Sequence, residues 1–226
     1  MVDVCLVCMP YGPLKQPSLA LGLLKAALRR QGVKVSALYA NLAFAEVIGL
    51  ETYQTISHLG AVESLGEWTF SEAAFPGIVA PHEEYLARVL RKASDPARLK
   101  ALFWSVREQA GPFTIGIANR ILEHRPRIVG CTSSFQQHCA SLALLRCIKK
   151  LDGSIITLLG GANCEGSMGY ATRLAFPWVD FVVSGEADEL LPEVARLLIE
   201  SDDTAIDPGD LPYGVIGSSQ ATAPAP

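Results

Sequence analysis

The protein has 226 residues, of which 50% are hydrophobic and 19% are charged, and its formal net charge at pH 7 is −4. A chain of this length can bury a full core and predicts one large domain, with no room for a second large catalytic domain. Lys and Arg are scattered along the chain, which argues against a nucleic-acid partner, because that affinity comes largely from clustered basic residues.

The N-terminus and the cysteines indicate the cellular compartment. The short apolar stretch before Pro10 lacks the basic start and the cleavage site of a signal peptide. No run of apolar residues in the sequence reaches the roughly 18 that span a bilayer. We therefore expect a cytoplasmic protein with no membrane partner, whose six cysteines are reduced thiols.

The chain begins with the pattern of a strand, a helix and a second strand. Residues 3–9 form a near-continuous apolar run, which is typical of a buried strand. Ser18 can cap a helix over 18–31, because Leu and Ala recur there at helical spacing until Gly32. A second strand is predicted over 33–39, parallel to the first and joined to it by a right-handed crossover.

A long segment, residues 42–125, interrupts this alternation. It contains helical patterns separated by Gly and Pro, with bulky anchors such as Trp68, Phe70 and Trp104. A structureless loop of this length is uncommon in a compact domain. We therefore predict a large helical insertion that forms a cap beside the sheet, with its aromatic residues in the core.

Strands and helices alternate again in the last part of the chain. Strands are predicted over 127–133, 154–159 and 181–184, and helices over 137–151, 170–174 and 189–199. Buried strands that alternate with amphipathic helices are typical of a sheet covered on both faces. The sequence thus predicts an α/β, Rossmann-like (flavodoxin-like) fold with a doubly wound five-stranded parallel sheet, in a domain at 1–217 that precedes a disordered tail or linker at 218–226.

Candidate ligand-binding residues lie in the loops that follow the strands. In an open parallel sheet, ligands bind beyond the carboxyl ends of the strands, where the strand order reverses. Gly160 and Gly161 lack Cβ atoms, so a ligand can lie against their backbone, although a tight turn has the same composition. Ser133 and Ser134 could donate hydrogen bonds to a ligand or cap the next helix.

Residue types that can bind metals or catalyse reactions are interpreted here mainly as structural residues. Cys5 and Cys8 are three positions apart on a predicted strand and so lie on opposite faces, which indicates core residues. His138 near a helix start is interpreted as a capping or hydrogen-bonded residue. Carboxylates at a helix N-terminus are stabilised by the helix dipole, and of those that begin the last helix only Glu186 is kept as a candidate ligand contact. No catalytic residue and no metal ligand is assigned.

Two of these loops resemble the cobalamin-binding fold. That family lines a deep slot for the nucleotide tail of the cofactor with a Ser-x-Leu and a Gly-Gly, which here read Ser133-Ser134-Phe135 and Gly160-Gly161. The family's third element, an Asp-x-His-x-x-Gly whose His ligates cobalt, is absent from the loop at 10–17. The resemblance therefore implies that cobalamin binds without a histidine ligand.

A second resemblance covers nearly the whole chain. The stretches 17–24, 135–138 with 141–144, 160–166 and 184–186 are similar to the N-terminal region of cobalamin-dependent radical S-adenosylmethionine enzymes, and more narrowly of the C-methyltransferases that mature ribosomally synthesised peptides. The family implies a cobalamin-binding module whose partners are a radical S-adenosylmethionine barrel domain and a precursor peptide. The barrel carries S-adenosylmethionine and a [4Fe–4S] cluster on a Cys-x-x-x-Cys-x-x-Cys motif. That motif does not occur here, so we expect the chain to be inactive alone, as an excised domain or as a natural stand-alone relative.

The resemblance also implies a cofactor site built from four loops. The first loop would face the lower side of the corrin, the loops after the third and fourth strands would surround the nucleotide tail, and the last would meet its ribose or amides. The implied cofactor-binding residues are Pro10, Tyr11, Leu14, Lys15, Gln16, Ser133, Ser134, Phe135, Gln136, Gly160, Gly161, Ala162, Asn163, Ser184, Gly185 and Glu186.

Two other functions stay open at this point. One is a cofactor-free interaction or precursor-peptide-binding domain on the same fold, an alternative favoured by the missing histidine and by the large helical insertion, where a peptide would bind. The other is a flavin or nucleotide enzyme on the same fold. It agrees less well with the sequence, because the first loop has no G-x-G-x-x-G or P-loop pattern.

Overall fold

One mixed α/β sheet organises the molecule. The computed structural model describes residues 2–59, 63–201, 206 and 208–217, and within them six strands pair in the order β2-β1-β3-β4-β5-β6. The strands are β1 (Val4–Cys8), β2 (Val35–Tyr39), β3 (Ile128–Thr132), β4 (Ile156–Gly160), β5 (Phe181–Val183) and β6 (Val215–Ile216). The first five are parallel, and β6 is antiparallel to β5. The tail predicted at 218–226 lies outside the described residues.

The mixed α/β prediction is confirmed, but the predicted count of five strands was wrong. The order 2-1-3-4-5 of the parallel strands is that of flavodoxin-like sheets. The sixth strand was missed because its two residues show no alternation that a sequence pattern can detect. Gly214, at φ 95°, lies just before it, and the amide of Ser184 donates to the Gly214 carbonyl oxygen over 2.8 Å.

Helices connect and cover the strands. Those of the described segments are α1 (Leu19–Arg30), α2 (Ala40–Ile48), α3 (Leu50–Leu59), α4 (Leu65–Ala74), α5 (His82–Val89), α6 (Pro96–Leu122), α7 (His138–Leu151), α8 (Ser167–Ala175) and α9 (Ala187–Ser201). Ser18 caps α1 as predicted, since its Oγ accepts a hydrogen bond from the Leu21 amide over 3.2 Å. The helix predicted at 170–174 is longer than expected, because Gly166 at φ 50° turns the chain directly into α8.

The two faces of the sheet are buried against different helices. Alternate residues of β1 show this division, because Leu6 and Cys8 pack in the cluster with α1 and α9, whereas Cys5 and Val7 pack in the cluster with α7 and the helices α2–α6. Cys5 and Cys8 therefore lie on opposite faces, as the strand period predicts. Only two long helices, α1 and α9, cover the first of these faces within the described residues.

The helices α2–α6 form a layer on the α7 face, which we call the helical layer. Tyr11, from the loop after β1, anchors this layer by burying its ring among aromatic side chains. Its centroid is 5.8 Å from that of Phe44 and 4.9 Å from that of Tyr53, and its hydroxyl donates to Thr69 Oγ1 over 3.2 Å. The helical layer is thus packed against the carboxyl edge of the sheet.

Candidate ligand-binding site

A cavity of about 390 Å³ opens at the carboxyl ends of β3, β4 and β5. The sheet forms its base, and α1 and the start of α9 form its sides. Its walls are mostly hydrocarbon, and they include the buried side chains of Leu6, Leu21, Leu158 and Leu191. This position is where ligands bind in open α/β sheets, and the volume lies within the range of about 300–1,000 Å³ that is typical of small-molecule sites.

Two glycines on adjacent strands leave the base of the cavity without side chains. Gly130 in β3 and Gly160 in β4 both lie on the sheet face that α1 and α9 cover. Residues an even number of positions apart on a strand share a face, and each glycine is an even number of positions from a residue of its own strand that packs on this face. A Cβ on Gly130 would approach Leu6 Cδ2 to 3.2 Å, and one on Gly160 would meet Val183 at 3.6 Å. The cavity exists in part because these two positions carry no side chain.

Gly161 has a different role from Gly160. Its φ of 115° favours glycine, and a Cβ there would be 2.7 Å from the carbonyl oxygen of Ser133. The close approach lets the amide of Asn163 donate to that same oxygen over 3.1 Å. Gly161 therefore holds the loop after β4 against the loop after β3, while also lining the cavity.

Carboxylates surround the mouth of the cavity. Glu165, Glu186 and Asp188 line it and are exposed, and the amide of Gly185 donates to Glu165 Oε1 over 3.2 Å. No Lys or Arg lines the cavity among the described residues. This charge distribution favours neutral or cationic ligands and disfavours a ligand that brings a dianionic phosphate to the mouth.

Ser133 is buried and does not line the cavity, and it belongs to a partly buried polar network. Its Oγ lies 2.8 Å from His138 Nδ1 and accepts from Asn163 Nδ2 over 3.3 Å. Asn163 Nδ2 also donates to the Ser134 carbonyl oxygen over 2.8 Å. Burial lowers the pKa of His138, and the nearby carboxylate of Glu67 offsets part of that effect. These groups fix the loop conformations, and His138 is hydrogen-bonded as the sequence predicts.

Other residues implied by the family resemblance point toward the helical layer. Tyr11 is 6% exposed within the aromatic cluster, and burial raises the pKa of its phenol. Gln136 is buried, with its Oε1 accepting from the Gly66 amide over 2.8 Å and its Nε2 donating to the Ser57 carbonyl oxygen over 3.2 Å. Neither side chain lines the cavity.

The rest of the first loop lies elsewhere on the carboxyl edge. Leu14, Lys15 and Gln16 line a separate cavity of about 270 Å³ beside Asn41, which lies in the first turn of α2 directly after β2. Pro10 is buried at the start of this loop. The cavity between α1 and α9 therefore combines Gly160, Gly161, Ala162, Gly185 and Glu186 of the implied set, but not these four.

Two implied residues flank the strand ends without lining the cavity. Ser184 Oγ accepts from the Gly166 amide over 2.8 Å, which joins the loops after β4 and β5. Phe135 is 58% exposed in the loop after β3. Both stay predictions as ligand contacts.

Sequence reasoning missed two residues that shape the site. Gly130 is a glycine inside a buried strand, which is itself a signal of close approach by another group. Gln137, 2% exposed, donates through Nε2 to the Met9 carbonyl oxygen and accepts through Oε1 from Ser134 Oγ over 2.6 Å. It therefore ties the loop after β1 to the loop after β3, a role that only the tertiary structure reveals.

The described residues contain neither a metal-binding cluster nor a helix that could span a membrane. Among the described residues, no group of three or more His, Cys, Asp or Glu side chains is arranged to hold a metal ion. Within the same part of the chain, none of the helices has the length and apolar character needed to cross a membrane.

Comparisons with known proteins give structural likenesses alone, because no family model and no curated protein matches the sequence. Two similar solved structures are of TsrM, a radical S-adenosylmethionine methyltransferase from Kitasatospora setae. One has its tryptophan substrate and an analogue of S-adenosylmethionine bound, and the other has cobalamin and a [4Fe–4S] cluster bound. Each is 16% identical, with a TM-score of 0.47, and the match covers 96% of this chain and 28% or 29% of TsrM. A Caulobacter myo-inositol binding protein is 11% identical, with a TM-score of 0.25 over 98% of this chain and 95% of its own. The chain thus spans less than a third of the length of TsrM.

Proposed function

We propose that the chain is a cobalamin-binding module of a radical S-adenosylmethionine peptide C-methyltransferase, and that the nucleotide tail of the cofactor occupies the cavity between α1 and α9. The observation that carries the proposal is that Gly130 and Gly160 leave the base of that cavity without side chains, while its walls are hydrocarbon. A flat ring can enter such a slot and contact the backbone on one side and leucines on the other.

The charge at the mouth favours cobalamin, whose tail carries a phosphodiester with one negative charge, over a nucleotide that ends in a dianionic phosphate. The dianionic phosphate of flavin mononucleotide would meet the carboxylates of Glu165, Glu186 and Asp188. In cobalamin, the single phosphodiester charge is balanced by the positive corrin–cobalt centre. Hydroxyl and amide donors of the cofactor can also pair with these carboxylates.

In this proposal the chain binds and orients the cofactor. Bound cobalamin supplies the methyl-carrier chemistry, and its residence depends on the cavity, because the loop at 10–17 offers no histidine to coordinate cobalt. A tail held in the cavity would be kept away from cobalt, so we expect base-off cobalamin. The partner that completes the reaction is a radical S-adenosylmethionine barrel domain, and the [4Fe–4S] cluster and S-adenosylmethionine belong to that partner.

The test is to mix the whole chain with excess hydroxocobalamin, desalt it and record the ultraviolet–visible spectrum. We expect corrin to co-elute with the protein near one per chain, with a base-off spectrum. Flavin mononucleotide serves as the comparison ligand and is expected to separate from the protein. A colourless protein, or one that retains the flavin instead, would refute the proposal.

A further inference from the structure

The cavity has two layers of residues, defined by the strand register. The upper layer consists of Thr132, Gly160 and Val183. They are the last residues of β3, β4 and β5, and Gly160 is the register partner of the other two. The lower layer includes Gly130, whose register partners are Leu6 and Leu158. This layer lies two residues closer to the strand starts, or about 7 Å deeper at roughly 3.3 Å per residue.

The helices continue the same division. Both α1 and α9 begin at the carboxyl edge of the sheet, so Leu24 and Leu191 lie deeper along the cavity than Ala20 and Asp188. The polar side chains that line the cavity are therefore at the mouth. At depth, the lining side chains are hydrocarbon, and they are Leu6, Leu24, Leu158 and Leu191.

We infer that this cavity selects among cobamides by their tail base, accepting the benzimidazole of cobalamin and disfavouring a purine. The inference rests on the proposed function. The far edge of 5,6-dimethylbenzimidazole carries two methyl groups, which gain free energy when hydrocarbon walls replace water. The far edge of adenine carries an amino group and ring nitrogens. These would lose their water partners without gaining a hydrogen bond, because Leu24, Leu158 and Leu191 offer none.

The first experiment compares three ligands at equilibrium with the whole chain. They are hydroxocobalamin, the same cobamide with adenine as its tail base, and cobinamide, which lacks the nucleotide. We expect hydroxocobalamin to bind at least about tenfold more tightly than either of the others. Equal affinity for the two tail bases would overturn the inference, as would cobinamide binding as tightly as hydroxocobalamin. Failure of all three to bind would instead refute the proposed function, and the inference with it.

A second experiment introduces a polar group into the deep part of the cavity. Leu24→Gln places an amide on a half-buried helical position, where folding is expected to persist, as circular dichroism can verify. The new amide can pair with the purine edge, so the preference for the benzimidazole base should fall by about threefold or more. Leu174→Gln, at a position 67% exposed on α8, is the matched control and should leave the preference unchanged. An unchanged preference in Leu24→Gln would overturn the inference.

Discussion

At the scale of single residues, Gly160 and Gly161 are neighbours with separable roles. A Cβ at Gly160 would make an ordinary contact of 3.6 Å with Val183 and would project into the cavity. A Cβ at Gly161 would be 2.7 Å from a carbonyl oxygen, on a backbone with φ 115°. Substitutions at the first position should therefore affect ligand binding, and substitutions at the second should affect folding.

The first prediction concerns the stability of the two alanine variants. Gly161→Ala should lower the free energy of unfolding by about 1–3 kcal/mol, because alanine must adopt a strained backbone or the loop must move. Gly160→Ala should change it by less than about 1 kcal/mol, since its backbone is that of a strand. Urea denaturation measures both, with Gly116→Ala on the exposed side of α6 as the control. Equal losses at Gly160 and Gly161 would contradict the assignment.

The second prediction is that the free energy of unfolding depends on pH through His138. Burial lowers the pKa of His138 below its ordinary value of 6.5. The folded state then binds fewer protons than the unfolded state, so the free energy of unfolding should fall as the pH drops through about 6.5, the pKa of an unfolded histidine. Urea denaturation at pH 7.5, 6.5 and 5.5 should show a smaller fall in His138→Gln than in the wild type. The exposed His58→Gln is the control, and identical pH dependences in all three proteins would show that folding does not lower the pKa of His138.

At the scale of elements, the joint between α4 and α7 fixes the helical layer on the sheet. Glu67 on α4 accepts hydrogen bonds from the amides of His138 and Cys139, over 3.0 and 2.6 Å, at the first turn of α7. These amides have no partner within their own helix, and the positive end of the helix dipole favours a carboxylate there. One side chain from a distant part of the chain thus caps the helix that follows β3.

The third prediction tests this joint. Glu67→Gln removes the charge and one acceptor, so the free energy of unfolding should fall by about 1–2 kcal/mol. Glu108→Gln, at an exposed position on α6, removes the same charge from the surface and should cost less than about 0.5 kcal/mol. Denaturation curves of the two variants provide the comparison. A loss in Glu67→Gln no larger than in Glu108→Gln would show that the carboxylate is not an important cap.

At the scale of the whole molecule, the two faces of the sheet have different roles. The face that carries α7, α8 and the helical layer is filled with apolar and aromatic side chains. The opposite face is covered by α1 and α9, which leave a cavity between them where the strands end. Ligand binding is therefore proposed for the face with fewer helices, while the helical layer stabilises the loops at the same edge from the other side.

How far the sequence could predict this arrangement depends on the range of the interactions. The cap at Ser18 and the strand faces of Cys5 and Cys8 follow from local period and residue type, and both were predictable. The inward turn of Tyr11 and the burial of Ser133 were not, because the direction of a loop side chain depends on contacts with residues far along the chain, here Thr69 and Asn163. The strand β6 was not predictable either, because two residues are too few to show an alternation.

The central claim is that cobalamin binds in the cavity between α1 and α9, and one titration tests it most directly. Hydroxocobalamin is titrated at equilibrium into the wild type, Gly160→Val and Gly116→Val, after each variant is shown to unfold at a temperature close to that of the wild type. The added isopropyl group of Gly160→Val projects from the sheet into the cavity. The affinity of this variant for hydroxocobalamin should therefore be at least about tenfold lower than that of the wild type. Gly116→Val, which adds the same group to an exposed helical position, should bind like the wild type. Equal binding by all three proteins would contradict the claim.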